Sequence, residues 1–462
     1  MTASFNATTP VEVFRMRRLQ LAKQLSRPLL LCAGHAPARN YSANTYPFRA
    51  GSSFLYYGGP PVEHAALLIR PDRVGDSGCT LLRQRPGPDD PLWCGPTPSD
   101  RELADFSGLP VQAVNVLDAL ADSALTNSVA ICPPRPDTLA WLAKLGVAQA
   151  TSDELIPIID QRLIKDSHEL TAMRHAAAVT GEAHRTAMAA TRVGGREADV
   201  AAAFGAVLAR HECRPSFTPG VTVRCEVLHS QGYANTLTAG ALLLVDAGAE
   251  EPGGYACDVT RTYPVGGSFT PIQRQLYDVV LRALRAATAA CVPGARYRDV
   301  HDLAARVICE GLIETGLLRG DPAELVARRA HVLFFPHGVG HLIGLDVHDM
   351  EDFGDLAGYA PGRTRRPGFG DKFLRLDRDL VAGMTVTIEP GIYLVPAIWE
   401  RGDLLGPLAD VVNRRAVDAL LKSALGGIRI EDTICVRQTG GPEVLTADIP
   451  AEADALLACV GR

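Results

Sequence analysis

Residues 335–349 read F-P-H-G-V-G-H-L-I-G-L-D-V-H-D and place His337, His341 and His348 within twelve residues. Gly338, Gly340 and Gly344 punctuate the stretch, and glycines without side chains let backbone and ligand approach closely. Three imidazoles on a glycine-rich segment read as a site rather than a core, although buried histidines are usually just hydrogen-bonded neighbours. A motif of this kind is decided by its context. That context lies in four other places along the chain.

Upstream, A-L-L-L-V at residues 241–245 predicts a strand that ends in Asp246. The turn residues E-E-P-G-G at 250–254 reverse it into Y-A-C-D-V-T-R-T-Y at 255–263, a hairpin. Downstream, M-T-V-T-I-E at 384–389 and G-I-R-I-E-D-T-I-C-V at 427–436 predict further strands. Asp246, Asp258, Glu389 and Glu431 therefore fall inside apolar strands, where a buried carboxylate needs a partner or a metal. Any one of them alone is more often a salt-bridged core residue. Four together, with a glycine-flanked histidine, read as a metal site. Four carboxylates and one imidazole nearly match the charge of two divalent cations and leave room for a bound hydroxide. The oxygen-rich donor set favours Mn²⁺, with Co²⁺, Fe²⁺ or Zn²⁺ as substitutes, and lacks the thiolates of a structural zinc site. Two ions roughly 3.5 Å apart lower the pKa of a bridging water and hold the substrate carbonyl, so the implied reaction is hydrolysis.

With D-A-G at Asp246, D-V-T-R-T at Asp258, the histidine stretch from His337, E-P-G-I-Y at Glu389 and R-I-E-D at Arg429, the chain resembles the pita-bread metallopeptidases of the aminopeptidase P and prolidase group. The likeness runs from about residue 165 to the end. It extends more weakly to the N-terminal part, through Y-P-F-R at 46–49 and F-L-Y-Y-G at 54–58. What the resemblance implies is specific. Asp246 and Asp258 hold one metal, His341 and Glu389 the other, and Asp258 and Glu431 bridge them. His229 stabilises the tetrahedral intermediate or positions substrate, His348 shuttles a proton, and His337 contacts substrate, tasks that suit a group titrating near neutral pH. Arg429 and Glu431 share a strand face, so Arg429 orients the cluster or pairs with substrate. Thr260 stands behind Asp258 in the same relation. Tyr393 reads as a hydrogen-bond donor or equally as a core aromatic.

The resemblance further implies peptide substrates with proline at the second position and a homo-oligomer, dimer or tetramer, while a cytoplasmic location is expected from the lack of leader and membrane-span signals and from the scattered cysteines. A dipeptide-restricted prolidase, a methionine aminopeptidase and an inactive peptide-binding relative are the rival readings. The last predicts lost ligands, and all five are present. The stretch N-Y-S-A-N-T at 40–45 lacks an acid that relatives often carry, and Leu55 stands where an aromatic is common. Segments 351–378 and 400–424 read as insertions beside ligand-bearing motifs, lining the mouth of the site or forming solvated loops.

At 462 residues the chain calls for two domains. We place the first, α/β and smaller, over residues 1–165 and the second, α+β and catalytic, over 166–462. In the first, a helix over about 11–24 carries Val13, Phe14, Arg17 and Leu21 at helical spacing with arginines on the other face, and strands follow near 28–33, 64–70 and 128–132. A turn is expected at Pro71-Asp72 and a helix over 138–145. In the second, helices are expected over about 167–191, 197–211, 271–291 and 297–315. These read as packing elements. The net charge of −6 argues against nucleic acid or an anionic membrane as partner. No apolar run approaches the roughly 18 residues of a membrane span, and the first residues hold no apolar leader core. Eleven cysteines without a C-x-x-C pair predict reduced thiols.

Overall fold

The computed structural model describes residues 9–71, 73, 78–114, 125, 127–423 and 425–462; Asp72 of the expected turn, the first eight residues and Ala424 lie outside them. Two compact units, Met1–Arg162 and Leu163–Arg462, divide the chain.

Strands β1 (Leu29–Cys32), β2 (Ala65–Ile69), β3 (Cys79–Gln84), β4 (Val111–Val114), β5 (Val129–Ile131) and β6 (Ala148–Gln149) belong to the first unit. Among its described residues they form one sheet in the order β4-β3-β2-β1-β5-β6. β1 and β2 are antiparallel, with Leu30 opposite Leu68, and β5 runs parallel to β1 with Ala130 opposite Leu30. Every residue of β1 and β2 is buried, which is why L-L-L-C and A-A-L-L-I are continuous apolar runs without alternation. The helix Val11–Ala22 corrects one expectation, because its arginines do not all face away from the core. Arg17 and Arg18 are buried and donate to the carbonyls of Tyr56 (3.0 Å) and Tyr57 (2.9 Å) at the end of helix Ser52–Tyr56. A guanidinium there satisfies carbonyls that a helix C-terminus leaves open. Cys32 and Cys132 lie side by side with Cα atoms 4.8 Å apart across the β1–β5 neighbourhood, near enough for a disulfide, which the expectation of reduced thiols did not foresee.

In the second unit the expected long helices are Ser167–Ala190, Glu197–Arg210, Pro271–Ala290 and Tyr297–Glu314. Asp166 starts the first of them with a capping box: its carboxylate accepts from the His168 and Glu169 N–H groups while Glu169 accepts from the Asp166 N–H. Thr270 and Gln273 do the same for the third, with Pro271 at the first helical position. Gly311 lies where the fourth helix meets Val279 of the third, and a Cβ there would collide with the valine side chain. That glycine lets the two helices close.

Ten short strands complete this unit among its described residues: β7 (Arg214–Pro215), β8 (Gly220–Thr222), β9 (Leu242–Asp246), β10 (Ala249–Glu250), β11 (Thr260–Pro264), β12 (Thr385–Ile388), β13 (Gly391–Tyr393), β14 (Gly427–Arg429), β15 (Asp432–Cys435) and β16 (Glu443–Val444). They pair antiparallel as β11-β9-β8, β12-β15-β16, β13-β14 and β10-β7. Helices over antiparallel strands are the α+β class the sequence predicts. The expected hairpin is β9–β11, with Thr260 opposite Asp246.

Only Asp246 of the four acids lies inside a strand. Asp258 precedes β11, Glu389 follows β12, and Glu431 sits in a break between β14 and β15 where one strand was expected. The break has a physical cause, since the chain changes partners there. β14 pairs with β13 and β15 with β12, while the Glu431 N–H donates to the Thr260 carbonyl at 3.0 Å. Acids at strand ends turn inward without interrupting a ladder.

Candidate metal centre

The glycine-rich stretch that opens the sequence analysis docks on the free edge of β12. Glu389, Thr387 and Ile343 N–H groups bond the carbonyls of Val339, His341 and Thr385 in turn, at 2.7, 3.0 and 3.2 Å. Gly340 makes this possible, because a Cβ there would collide with the Thr387 carbonyl oxygen and Tyr297 Oη. The docking brings His341 beside Glu389, and the β9–β11 pairing brings Asp246 beside the connection that carries Asp258.

His341 is buried, and its Nδ1–H donates to the Leu342 carbonyl at 2.9 Å. That bond assigns the tautomer. The lone pair of Nε2 then faces Asp258 Oδ2 at 3.5 Å and Glu389 Oε1 at 3.7 Å. Ligand atoms of Asp258, His341 and Glu431 lie within 4.8 Å of one another. Asp246 Oδ1, Asp258 Oδ1 and Glu431 Oε1 are buried with no hydrogen-bond partner. Orphaned carboxylate oxygens in an interior are costly, and three of them converging beside an imidazole nitrogen fit divalent cations with oxygen-rich coordination.

The electrostatics agree. Burial pushes the Asp258 carboxyl up to about 7, with the Asp246 and Glu389 charges adding and His341 opposing. Burial and then the neighbouring carboxylates raise Glu431 well above the usual range, and burial raises Glu389. For His341, burial is outweighed by the hydrogen bond to Asp258 and the charges of Glu389 and Asp258, so its pKa rises. These acids cannot all ionise without added positive charge.

Behind the cluster, Arg429 is buried and fully used. Its Nη2 donates to Asp246 Oδ2 (2.5 Å), Nε to Thr260 Oγ1 (2.9 Å) and Nη1 to Tyr393 Oη (2.9 Å). Thr260 passes the interaction on, donating to Glu431 Oε2 at 2.7 Å. Tyr393 is therefore more than a core aromatic: its hydroxyl lies 2.9 Å from His337 Nε2, whose Nδ1–H donates to the Gly338 carbonyl at 2.8 Å. Burial and the Arg429 charge lower His337 to about 3, so the ring is neutral. Both its nitrogens are engaged within the protein, and a substrate contact through either must displace one of these bonds.

A cavity of about 1020 Å³ opens onto the cluster and is lined by Asp246, Asp258, His341, Glu389, Glu431, His229, His337, His348 and Arg429. Thr260 and Tyr393 stand behind its wall. Segment 351–378 contributes Glu351, Arg365, Phe369, Lys372, Phe373 and Arg375 to the lining, whereas no described residue of 400–424 does. Sequence reasoning missed Arg375. It donates to His348 Nδ1 at 3.0 Å and to the Glu351 carboxylate at 2.7 and 2.9 Å, which leaves the His348 proton on Nε2. Burial, then the positive charges of His341 and Arg375, lower the His348 pKa. The one available signal for Arg375 was its place in a charged insertion next to ligand motifs. The ring of His348 meets that of His341 edge-on, with centroids 4.5 Å apart.

The family model described as Metallopeptidase family M24 matches residues 171–438, and that of the Aminopeptidase P N-terminal domain matches residues 14–131. The chain is 30% identical over 466 residues to a protein named Xaa-Pro aminopeptidase from Haemophilus influenzae, with 98% of each chain covered. It is 32% identical over 470 residues to the Xaa-Pro aminopeptidase of Escherichia coli, covering 96% of this chain and 97% of the other. Among solved structures it is similar to Pseudomonas aeruginosa aminopeptidase PepP (TM-score 0.79, 28% identity, 98% of each chain). Zn-substituted Escherichia coli aminopeptidase P in complex with product gives a TM-score of 0.80 at 27% identity, again over 98% of each chain.

Proposed function

Because the chain belongs to metallopeptidase family M24, we propose that it is an Xaa-Pro aminopeptidase of the pita-bread fold, hydrolysing the bond between the first residue of a peptide and a following proline. Asp246, Asp258, His341, Glu389 and Glu431 are the residues that would hold two divalent cations. The carrying observation is the cluster of Asp258, His341 and Glu431, two of whose carboxylates hold an orphaned oxygen, in one cavity that Asp246, with a third orphaned oxygen, also lines. Mn²⁺ is the ion this donor set favours, with Co²⁺, Fe²⁺ and Zn²⁺ able to substitute. When bound, two such ions supply Lewis acidity that activates water and polarises a carbonyl.

The chain's own residues do the rest. Arg429 orients Asp246 through a hydrogen bond to Oδ2, and the Thr260 hydroxyl fills one lone pair of Glu431 Oε2 so that Oε1 is turned to the site. The Leu342 carbonyl keeps His341 Nε2 available as a donor atom. His348, with its proton on Nε2, offers a hydrogen bond at the cavity wall, and His229 lines the same cavity where a tetrahedral oxyanion would develop. The leaving nitrogen of an Xaa-Pro bond carries no hydrogen and must depart protonated. A cavity of about 1020 Å³ takes a peptide of several residues.

The cytoplasm is its proposed location, and a dimer or tetramer its proposed assembly. No helix among the described residues is long and apolar enough to cross a membrane. The test is a panel of Xaa-Pro and Xaa-Pro-Yaa peptides with Mn²⁺ and with chelator. Release of free Xaa from the tripeptides, abolished by chelator, is expected. Cleavage of dipeptides alone would make it a prolidase, and bound metal without cleavage a binding relative.

A further inference from the structure

We infer that Lys165 is a positioning residue of the metal centre, acting through Asp349 on His341 and His348; the inference rests on these histidines serving a metal centre. Lys165 Nζ donates to Asp349 Oδ2 at 2.7 Å, and both side chains are 1% exposed. A buried ion pair is weak evidence for stability, because desolvation offsets the attraction. Its location says more. The Asp349 N–H donates to the Leu342 carbonyl at 3.0 Å, and the same oxygen accepts the His341 Nδ1–H at 2.9 Å. One carbonyl thus fixes the His341 tautomer and the aim of Nε2, and the residue that holds that carbonyl is held by Lys165.

Gly344 closes the loop over the pair. A Cβ there would lie 2.6 Å from both Asp349 Oδ2 and Lys165 Cε. The Gly344 carbonyl in turn accepts from the Ala256 N–H at 2.8 Å, two residues before Asp258. Lys165 is itself anchored, its N–H donating to the Gly383 carbonyl at 2.9 Å at the entry to β12. The ammonium therefore sits at the joint of three segments that bear ligands, and His348 is the residue directly before its partner. Metal ligands need such supports to hold ring orientation and basicity.

The merely structural alternative is that Lys165 only neutralises a buried charge. The full-length chain and the variants Lys165→Met and Lys165→Met/Asp349→Asn separate the two. Thermal unfolding reports stability, and Co²⁺ titration followed by the visible absorption of the bound ion reports the centre. Lys165→Met is expected to weaken Co²⁺ binding at least about tenfold and to alter the ligand-field spectrum. The double variant, which buries no unpaired charge, is expected to recover melting temperature but not Co²⁺ affinity or spectrum. Affinity and spectrum that return together with stability in the double variant, or wild-type Co²⁺ binding by Lys165→Met, would overturn the inference. If Lys165→Met does not fold, the double variant alone decides. Because the readout is metal binding, a wild-type chain that binds Co²⁺ without cleaving Xaa-Pro peptides would sink the peptidase reading and leave this one tested.

Discussion

Asp377 and Glu431 are carboxylates of the same unit, 0% and 2% exposed, and the protein treats them in opposite ways. Around Asp377, Arg296 donates to both oxygens at 2.6 and 2.7 Å and Arg298 donates to Oδ2 at 2.9 Å. Burial alone would raise the Asp377 pKa, but the hydrogen bonds and charges of these arginines outweigh it and hold the group below the usual range. Around Glu431 the neighbours are Asp258, Glu389 and Asp246, and its pKa is driven well up. Burial is common to both. What separates a structural acid from a functional one is whether the fold supplies the counter-charge or leaves it to be bound.

That contrast can be broken most forcefully at Glu431. Glu431→Gln removes a carboxylate that we propose holds the cations and is expected to lower kcat/KM about 10⁴-fold, roughly 5 kcal/mol of transition-state stabilisation. In the metal-free chain, where burial and the neighbouring carboxylates keep Glu431 protonated, the same change removes no charge and should leave the melting temperature nearly unchanged. An active variant would mean that Glu431 is not a ligand.

The pH dependence of stability comes next. In the metal-free chain folded Asp258 holds a proton up to about pH 7 that the unfolded chain releases near pH 4. The folded state therefore binds more protons across that window, and stability of the metal-free chain falls as pH rises from about 4 to about 7, by up to about 4 kcal/mol. With cations bound the carboxylate is ionised in the fold and this dependence disappears. Urea unfolding with and without EDTA across the window checks it; parallel curves would contradict the assignment.

Asp377→Asn, unlike Glu431→Gln, removes an ionised carboxylate in the metal-free chain. It strands buried guanidinium charge and is expected to cost about 3 kcal/mol by urea unfolding, with Mn²⁺ stoichiometry unchanged. A stabilised Asp377→Asn would erase the distinction between the two sites. The smallest effect is expected at Arg375→Gln, which loosens His348 without touching a metal ligand. A fall of about tenfold in kcat, roughly 1.4 kcal/mol, with unchanged Co²⁺ affinity is the outcome to measure.

Much of this was legible in the chain. The apolar runs of β1 and β2 and the spacing of the long helices follow from local chemistry that needs no tertiary information. The acids and His341 stood out because carboxylates next to apolar strand residues conflict with burial. The strand break at Glu431 was not legible, because I-R-I-E-D-T-I-C-V keeps its strand character while the backbone changes partner. Lys165 and Asp349 are an unremarkable pair of charges 184 residues apart until the fold buries both. Arg18 likewise reads as solvent-facing until the carbonyl of Tyr57 arrives above it. Local chemistry announces itself in sequence; pairings made by long-range folding do not.

The most direct measurement is the metal content of the full-length chain, determined by elemental analysis after incubation with Mn²⁺ and exhaustive dialysis, beside the Glu431→Gln variant. Two ions per chain in the wild type and fewer in the variant are predicted. A wild-type chain that retains no divalent ion would contradict the claim that these five side chains form a dinuclear centre.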